Sequence, residues 1–287
     1  MSTPQAPDPK SFKAAVREQW DKSATGWDAH APQIRAWLSS ATETMLAMAG
    51  IAPGSRVLDV AAGAGDQTLD IAKRVGPQGS VLATDLSPAI LLLAKSNAVR
   101  AGYNNVEIQI ADGESLAVKS ESFDAAVCRL GLMFFPNPLM GLQEMHRALR
   151  PGGGICTMVF SGPASNPCVT ILMSTALRHA GLAPRDPWQP GGLLSLGKPG
   201  LLPQLFQSAG FRDVTTTTVD APFRMPSARH YLDFVRTSAS PVQQILAGLA
   251  PAAADEAWAD IEERLGEFTN ASGWDGPNEL LLTAARR

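Results

Sequence analysis

A glycine-rich turn flanked by acidic residues lies in the N-terminal third of the chain, within "VLDVAAGAGDQT" at residues 57–68. Its glycines, Gly63 and Gly65, allow the backbone to approach a ligand closely and to present N–H groups to it. A second apolar run ends in Asp85, about 20 residues beyond the turn, where an acid can hydrogen-bond ribose hydroxyls. A third apolar run ends in Asp112. These residue types, in this order, predict a site that binds a nucleoside.

The turn departs from the pattern of a dinucleotide-binding loop. The G-x-G-x-x-G fingerprint needs a third small residue where this chain has Thr68. Asp66 opens the next predicted helix, and its charge would repel a pyrophosphate at that helix N-terminus. A P-loop is excluded because no G-K-S or G-K-T follows the glycines. The residues favour a nucleoside with an amino-acid tail, whose ammonium group suits Asp59 and the carbonyls of the turn. S-adenosylmethionine is such a ligand.

These residues need a scaffold that brings the ends of successive strands together. The predicted strands span residues 56–62, 80–86, 106–112, 123–132 and 155–160, and the predicted helices between them span residues 66–75, 89–101 and 139–149. Such regular alternation is typical of an α/β fold with a doubly wound parallel sheet. Ligands bind such sheets outside the carboxyl ends of the strands, where the glycines and acids of this chain fall.

The regular alternation of predicted strands and helices does not continue on either side of this predicted core. Residues 1–10 are polar and proline-rich and are predicted to be a flexible tail, and residues 11–50 are predicted to form an N-terminal helical lid. Residues 51–163 form the predicted Rossmann-like core that binds the cofactor. Residues 164–287 are predicted to supply cap helices and the last strands of the sheet, at residues 214–223 and 278–287.

Composition and charge narrow the function classes. The chain has 287 residues, 45% of them hydrophobic, and a formal net charge of −3. Nucleic acids and anionic membranes attract a basic face, so we expect neither as a partner. The N-terminus lacks an apolar signal segment and the apolar runs are too short for a bilayer, so we expect no stable membrane insertion and a cytoplasmic location. Cys128, Cys156 and Cys168 show no C-x-x-C spacing, and we expect no metal site.

Five segments, in this order and spacing, resemble the class I S-adenosylmethionine-dependent methyltransferases: "VLDVAAGAGDQT", "VLATDLS", "IADGESL", "FDAAVCRLGLMFFPNP" and "EMHRALRPGGG". Their details are similar to the branch of ubiquinone/menaquinone biosynthesis C-methyltransferases. The resemblance is strongest over residues 55–160 and extends more loosely to the N-terminal "WDKSATGWDAHAP". It implies a seven-stranded, mostly parallel sheet and methyl transfer from S-adenosylmethionine.

The resemblance also implies which residues hold the cofactor. The methionine moiety would lie against Asp59 and the turn, at Ala61, Gly63 and Gly65. The ribose and adenine would lie against residues that follow the second and third strands, namely Asp85, Leu86, Asp112, Gly113 and Glu114. The inner side of the cofactor and the lid would contribute Arg129, Leu130 and Trp27.

The acceptor side carries fewer signals. Transfer from a sulfonium needs a general base only where the acceptor must lose a proton, and no residue stands out as that base. His30 and Tyr231 are the candidates for a catalytic role. The predicted acceptor pocket suits a small, apolar or aromatic molecule such as a quinol, a phenol or a compound resembling a natural product. Its predicted lining is Met133, Phe134, Trp188, Phe223 and Tyr231.

Several alternatives stay open on the sequence alone. The acceptor atom is carbon, oxygen or nitrogen, and a homodimer is possible. Arg129 fits a surface salt bridge as well as a cofactor contact, and Trp20 and Trp27 fit helix packing as well as ligand contact. Two rival functions are a nicotinamide-dependent oxidoreductase and a protein that binds S-adenosylmethionine without catalysis.

Overall fold

The computed structural model describes residues 8–238 and 241–287. The helices in these residues are α1 (Pro9–Ala29), α2 (Ala31–Met48), α3 (Asp66–Val75), α4 (Pro88–Arg100), α5 (Pro138–Ala148), α6 (Pro167–His179), α7 (Leu201–Ser208), α8 (Ala228–Thr237), α9 (Pro241–Leu246) and α10 (Pro251–Leu265). The strands are β1 (Arg56–Val60), β2 (Ser80–Asp85), β3 (Val106–Ile110), β4 (Phe123–Arg129), β5 (Leu149–Phe160), β6 (Arg212–Asp220), β7 (Phe223–Met225), β8 (Thr269–Asn270), β9 (Gly273–Gly276) and β10 (Glu279–Arg286).

Seven of these strands form one sheet in the order β3-β2-β1-β4-β5-β10-β6. Pairing is parallel from β3 to β5, whereas β10 runs antiparallel to both of its neighbours, β5 and β6. This arrangement confirms the predicted doubly wound, mostly parallel seven-stranded sheet. The strand order reverses between β1 and β4, and a crevice opens there at the carboxyl ends of the strands.

The central strands are apolar because helices cover both faces of the sheet. In β1, Val57 and Leu58 are fully buried, and Leu58 pairs with Leu82 of β2 and with Ala126 of β4. Helix α4 begins where Ser87 accepts a hydrogen bond from the Ile90 N–H at 3.2 Å, which is the contact of an N-cap. Packing in the core thus positions the carboxyl ends of the strands, and these ends border the crevice.

The predicted lid, residues 11–50, is two helices that break at His30. Helix α2 places Ile34, Leu38 and Met45 in the core at helical spacing. Helix α1 begins at Pro9 rather than after residue 10, with its first turn capped by Asp8. The predicted tail therefore ends two residues earlier, and its residues 1–7 lie outside the described residues.

Polar contacts hold α1 across the start of α4. Asp21 Oδ1 accepts a hydrogen bond from Ser87 Oγ at 2.5 Å, and Asp28 Oδ1 accepts one from Asn97 Nδ2 at 2.7 Å. Because α4 follows β2 directly, these contacts bring α1 over the carboxyl edge of the sheet.

Within the described residues, none of the helices combines the length and apolar character that crossing a bilayer requires.

The region after β5 differs most from the sequence-based prediction. A second sheet, β7-β9-β8, packs near the cap helices and buries Trp274. The strand predicted at residues 214–223 is divided, since β6 ends at Asp220 and Phe223 opens β7. Helix α5 ends at Ala148, one residue before the predicted end at residue 149, and β5 begins at Leu149 instead of residue 155 because "RPGGG" is part of the strand.

Candidate functional site

A cavity of about 950 Å³ lies at the carboxyl edge of the sheet, between the ends of β1 to β4 and helix α1. It contains most of the residues that the sequence predicted for the cofactor. Those on its wall are Trp27, Ala61, Gly63, Asp85, Leu86, Asp112, Gly113, Glu114, Arg129 and Leu130. The structure therefore brings residues from four strands and the lid to one cavity.

Asp85 ends β2 and faces this cavity. Its Oδ2 accepts a hydrogen bond from the Gly63 N–H at 3.0 Å, and its Oδ1 accepts one from the Ser87 N–H at 2.9 Å. Burial raises the pKa of the carboxyl above its usual range, although these backbone donors favour the charged form. Each oxygen keeps a further lone pair for a donor in the cavity.

The chain leaves β1 and β4 through two residues with left-handed backbone conformation. Ala61 and Leu130 both have φ of 56°, and both line the cavity. A non-glycine residue in this region carries strain, and such strain concentrates at functional sites. Gly131 accommodates the two bends, because a side chain at that position would collide with Ala61.

Asp59 does not reach the cavity wall. It is completely buried, where its oxygens accept hydrogen bonds from Thr68 Oγ1 at 2.6 Å and Gln67 Nε2 at 3.1 Å. Burial raises its pKa to about 6. Asp59 thus ties β1 to the first turn of α3 from behind the cavity wall, and its contact with the methionine moiety stays a prediction.

Gly65 also lies behind the cavity wall rather than on it. It precedes α3 with φ of 87°, and a Cβ there would lie 2.9 Å from the Ala94 Cβ of α4. Its hydrogen atom is therefore needed for the close approach of two helices. Gly63 is the glycine of the turn that faces the cavity.

Sequence reasoning missed Lys13, which closes one end of the cavity from α1. Its Nζ lies 2.6 Å from Asp112 Oδ2 and 2.6 Å from Glu114 Oε2. Burial lowers the pKa of Lys13, whereas the two carboxylates raise it. Their combined effect is larger, so the pKa of Lys13 is raised above its usual value. The lysine and the acids are about a hundred residues apart, so local sequence carries no signal for the contact.

Arg129 is part of a buried ion pair, not of a surface salt bridge. Its Nη2 lies 2.9 Å from Asp66 Oδ2, and its Nη1 donates to Thr42 Oγ1 at 2.9 Å. Arg35 holds the other oxygen of Asp66 at 2.8 Å. These contacts join α2 to the N-terminus of α3 and fix one edge of the guanidinium at the cavity wall.

A second cavity, of about 630 Å³, adjoins the first beneath the cap. We call it the acceptor chamber. Its walls carry aromatic and aliphatic side chains with two hydroxyls, and no charged side chain appears among the residues described as lining it. They are Trp20, Trp27, Trp37, Leu130, Met133, Phe134, Phe160, Val169, Leu172, Leu193, Phe223, Tyr231, Phe234, Val235 and Ser238.

The two cavities share Trp20, Trp27, Leu130 and Phe134. The rings of Trp20 and Trp27 meet edge to face with centroids 5.4 Å apart, and Trp20 meets Phe134 in the same way at 6.0 Å. The tryptophans therefore pack against each other and also face both spaces. Any groups bound in the two cavities would meet at this apolar boundary.

Of the two catalytic candidates, the structure brings only Tyr231 to the acceptor chamber. Tyr231 is buried on its wall, and burial raises its pKa well above the usual value. His30 lines a separate surface groove, and its Nε2 lies 2.8 Å from Thr237 Oγ1. Trp188, predicted for the acceptor lining, is not on the chamber wall either, because it packs beside Gly162.

Cysteine and metal chemistry have little support in the described residues. Burial raises the pKa of Cys128, Cys156 and Cys168 to about 12, so these thiols stay protonated. Over residues 8–238 and 241–287, no group of three or more histidine, cysteine or acidic side chains is arranged to hold a metal ion.

The sequence profile of the ubiE/COQ5 methyltransferase family matches residues 32–175. The ubiquinone/menaquinone biosynthesis C-methyltransferase UbiE of Hahella chejuensis is 36% identical over 122 residues, which are 42% of this chain and 49% of that relative. This chain thus spans about half the length of that relative. The uncharacterized protein Rv1405c of Mycobacterium tuberculosis is 30% identical over 252 residues, 85% of each chain.

Among solved structures, the YcgJ protein from Bacillus subtilis has a similar fold, with a TM-score of 0.58 and 18% identity over 87% of this chain and 98% of that one. It supports the fold, while the sequence matches carry the relationship. The chain belongs to the ubiE/COQ5 methyltransferase family, in agreement with the resemblance found in its motifs.

Proposed function

We propose that this protein is an S-adenosylmethionine-dependent methyltransferase that acts on a small, apolar or aromatic acceptor. The observation that carries this proposal is a pair of adjoining cavities that meet at four shared residues. The one at the carboxyl edge of the sheet has charged side chains on its wall, and the one beneath the cap has none among its described lining residues. Such a pair holds two reactants side by side, and positioning supplies much of the acceleration of a displacement reaction.

The first cavity fits the cofactor in its residue types. Asp85 has acceptor capacity left for the two ribose hydroxyls, and Leu86 and Ile90 offer apolar surface to the adenine. Asp112 and Glu114 lie at the end that Lys13 closes. When bound, S-adenosylmethionine supplies a methyl group already activated on a sulfonium. The residues of the chain therefore have to bind, orient and exclude water.

The side chains at the boundary between the two cavities would exclude water from the reacting atoms. Trp20, Trp27, Leu130 and Phe134 present aromatic and aliphatic surface there, so the reacting atoms would be shielded from solvent. The acceptor chamber offers no charged partner among its described lining residues. Its chemistry favours an uncharged quinol, a phenol or a comparable natural product over a charged metabolite.

The nicotinamide alternative fits the structure less well. A dinucleotide places its pyrophosphate at the N-terminus of the helix after β1. In this chain Asp66 occupies that position, and its carboxylate is already bound by Arg35 and Arg129. Arg35 also pairs with Asp70 at 3.2 Å. Two carboxylates thus balance the two guanidinium groups, and the α3 N-terminus carries no net positive charge from these side chains for a phosphate.

Two measurements test the proposal. Calorimetric titration should show binding of S-adenosylmethionine and S-adenosylhomocysteine, and no binding of NADH. A screen of quinol, phenol and amine acceptors with a labelled methyl donor should then show transfer to an aromatic, uncharged acceptor. Binding of NADH in place of S-adenosylmethionine would refute the cofactor assignment. Binding of the cofactor without turnover of any acceptor in the screen would favour the non-catalytic alternative.

A matched variant locates the acceptor. Leu172 is a buried residue of the acceptor chamber and does not line the cofactor cavity. Leu172→Trp should fill the chamber and abolish transfer while the affinity for S-adenosylhomocysteine stays within a factor of about two of wild type. Full transfer in a folded Leu172→Trp variant would place the acceptor elsewhere.

A further inference from the structure

One residue on the wall of the acceptor chamber, Tyr231, carries a hydroxyl that the described residues leave unpaired. Tyr231 is 2% exposed, and its hydroxyl makes no hydrogen bond with any residue that the structure describes. Its oxygen is not among the fully enclosed side-chain atoms that lack a partner, so it remains accessible from the space beside it. The chamber that Tyr231 lines is where such a partner can be supplied.

The ring that carries this hydroxyl is held in place by its neighbours. It stacks on Trp274 with centroids 4.9 Å apart and an angle of 25°, and it packs against Phe223 at 4.8 Å. Trp274 is itself fixed, because its Nε1 donates to the Leu265 carbonyl at 2.6 Å. A ring clamped between two aromatic neighbours cannot swing to reach a distant protein acceptor.

Two other polar side chains of the described lining are already occupied. Ser238 is also buried, and its Oγ donates to the Val235 carbonyl one turn earlier in the chain. The Trp37 N–H is shared between the Ala221 carbonyl at 2.8 Å and Asn278 Oδ1 at 3.1 Å. The Nε1–H groups of Trp20 and Trp27 belong to half-buried side chains, so Tyr231 is the fully buried residue of the described lining whose polar group remains available to a molecule in the chamber.

We propose that the Tyr231 hydroxyl donates a hydrogen bond to an oxygen or nitrogen atom of the acceptor, and so selects acceptors that carry such an atom over plain hydrocarbons. This inference rests on the proposed function. Tyr231 lies outside residues 32–175, which match the family profile, so the selection belongs to the cap of this chain. Burial raises the pKa of Tyr231 well above its usual value, so the group stays a neutral donor.

The test compares two probes that differ in one polar atom. Indane and 1-indanone have similar planar bicyclic shapes, but only 1-indanone has a carbonyl oxygen. Their binding to the protein saturated with S-adenosylhomocysteine can be followed by ligand-observed NMR titration. In Tyr231→Phe, 1-indanone should bind about 3- to 10-fold more weakly, which is the effect expected for one neutral hydrogen bond. Indane should bind as it does to wild type.

Controls separate this inference from the function on which it rests. Tyr231→Phe keeps the ring and should leave S-adenosylhomocysteine affinity unchanged, while Leu172→Trp should abolish binding of both probes. Unchanged 1-indanone binding in Tyr231→Phe, or an equal loss for both probes, would overturn the role of the hydroxyl alone. If wild type bound neither probe, or if both still bound to Leu172→Trp, the apolar acceptor chamber itself would be refuted, and the inference with it.

Discussion

Removal of the Asp85 carboxylate tests the cofactor site most sharply. A carboxylate has about four lone-pair positions, and the Gly63 and Ser87 N–H groups take one on each oxygen of Asp85. About two positions are left for ribose hydroxyls. A hydrogen bond to a charged group contributes about 1.5–3 kcal/mol. Asp85→Ala should therefore weaken cofactor binding by about 3 kcal/mol or more, a factor of about 150 in Kd.

The same substitution removes the acceptors of two backbone donors, so the turn has to be monitored as well. Asp85→Asn is the conservative companion, since it keeps one carbonyl oxygen and should lose less affinity than Asp85→Ala. Glu107→Gln removes one negative charge from the exposed face of neighbouring β3 and serves as the charge control. Calorimetric titration with S-adenosylhomocysteine near neutral pH, together with thermal unfolding of each variant, separates lost affinity from lost stability.

The pH dependence of binding gives a second readout of the same carboxylate. Burial raises the pKa of Asp85, so it gains its proton at a higher pH than an ordinary aspartate. The protonated form loses acceptor capacity, and cofactor affinity should fall as the pH falls through this raised pKa. The fall should be smaller in Asp85→Ala. A folded Asp85→Ala variant with wild-type Kd would refute the placement of the ribose at this residue.

Three further predictions follow from other parts of the structure. Transfer should be unaffected by EDTA, because the described residues contain no cluster of metal-ligating side chains. Residues 11–35 should exchange amide hydrogens quickly in the free protein and become protected with cofactor, and Lys13→Met should speed exchange in α1 by removing its contacts with Asp112 and Glu114. The folded pKa of Asp59, about 6, lies above its ordinary value. Its contribution to the free energy of unfolding is therefore fully present below the ordinary pKa and is lost as the pH rises through about 6. The free energy of unfolding of wild type should therefore fall by about 2 kcal/mol, relative to that of Asp59→Asn, between about pH 4 and about pH 7. Denaturant unfolding of both proteins measures this difference.

Each of these predictions has a result that contradicts it. Activity lost with EDTA and restored by magnesium would show a metal-dependent enzyme. Equal protection of residues 11–35 with and without cofactor would make α1 a fixed wall of the two cavities instead of a mobile lid. A pH-independent difference between Asp59→Asn and wild type would show that Asp59 does not titrate with a raised pKa.

The core of the fold was predictable because its strands are buried on both faces. Runs such as Val57 to Val60 have no polar side to confuse the pattern apart from Asp59, and the helices between them carry clear apolar stripes. Site residues at the ends of β2, β3 and β4 were predictable for a related reason. In a parallel sheet the carboxyl ends of the strands meet at one edge, whichever way the chain crosses between them.

The remaining features depend on distances that sequence patterns do not encode. Asp59 and Gly65 lie in the right segment, but only packing against Thr68 and Ala94 decides that they support the wall instead of forming it. The Lys13 contact joins residues far apart in the chain. The small sheet was missed because its strands have two to four residues, too few to show alternation.

The place of β10 in the sheet has a consequence for the order in which the molecule folds. Strand β6 has β10 as its single neighbour in the seven-stranded sheet, yet β10 comes later in the chain. While a ribosome makes the protein, β1 to β5 can pair as they emerge, and the cofactor half of the molecule can assemble early. Strand β6 has no strand of the seven-stranded sheet to pair with until β10 inserts beside β5. Non-local pairing of this kind slows folding because a long loop has to close first. The edge of the sheet that carries β6 is therefore expected to be completed after the half that binds the cofactor.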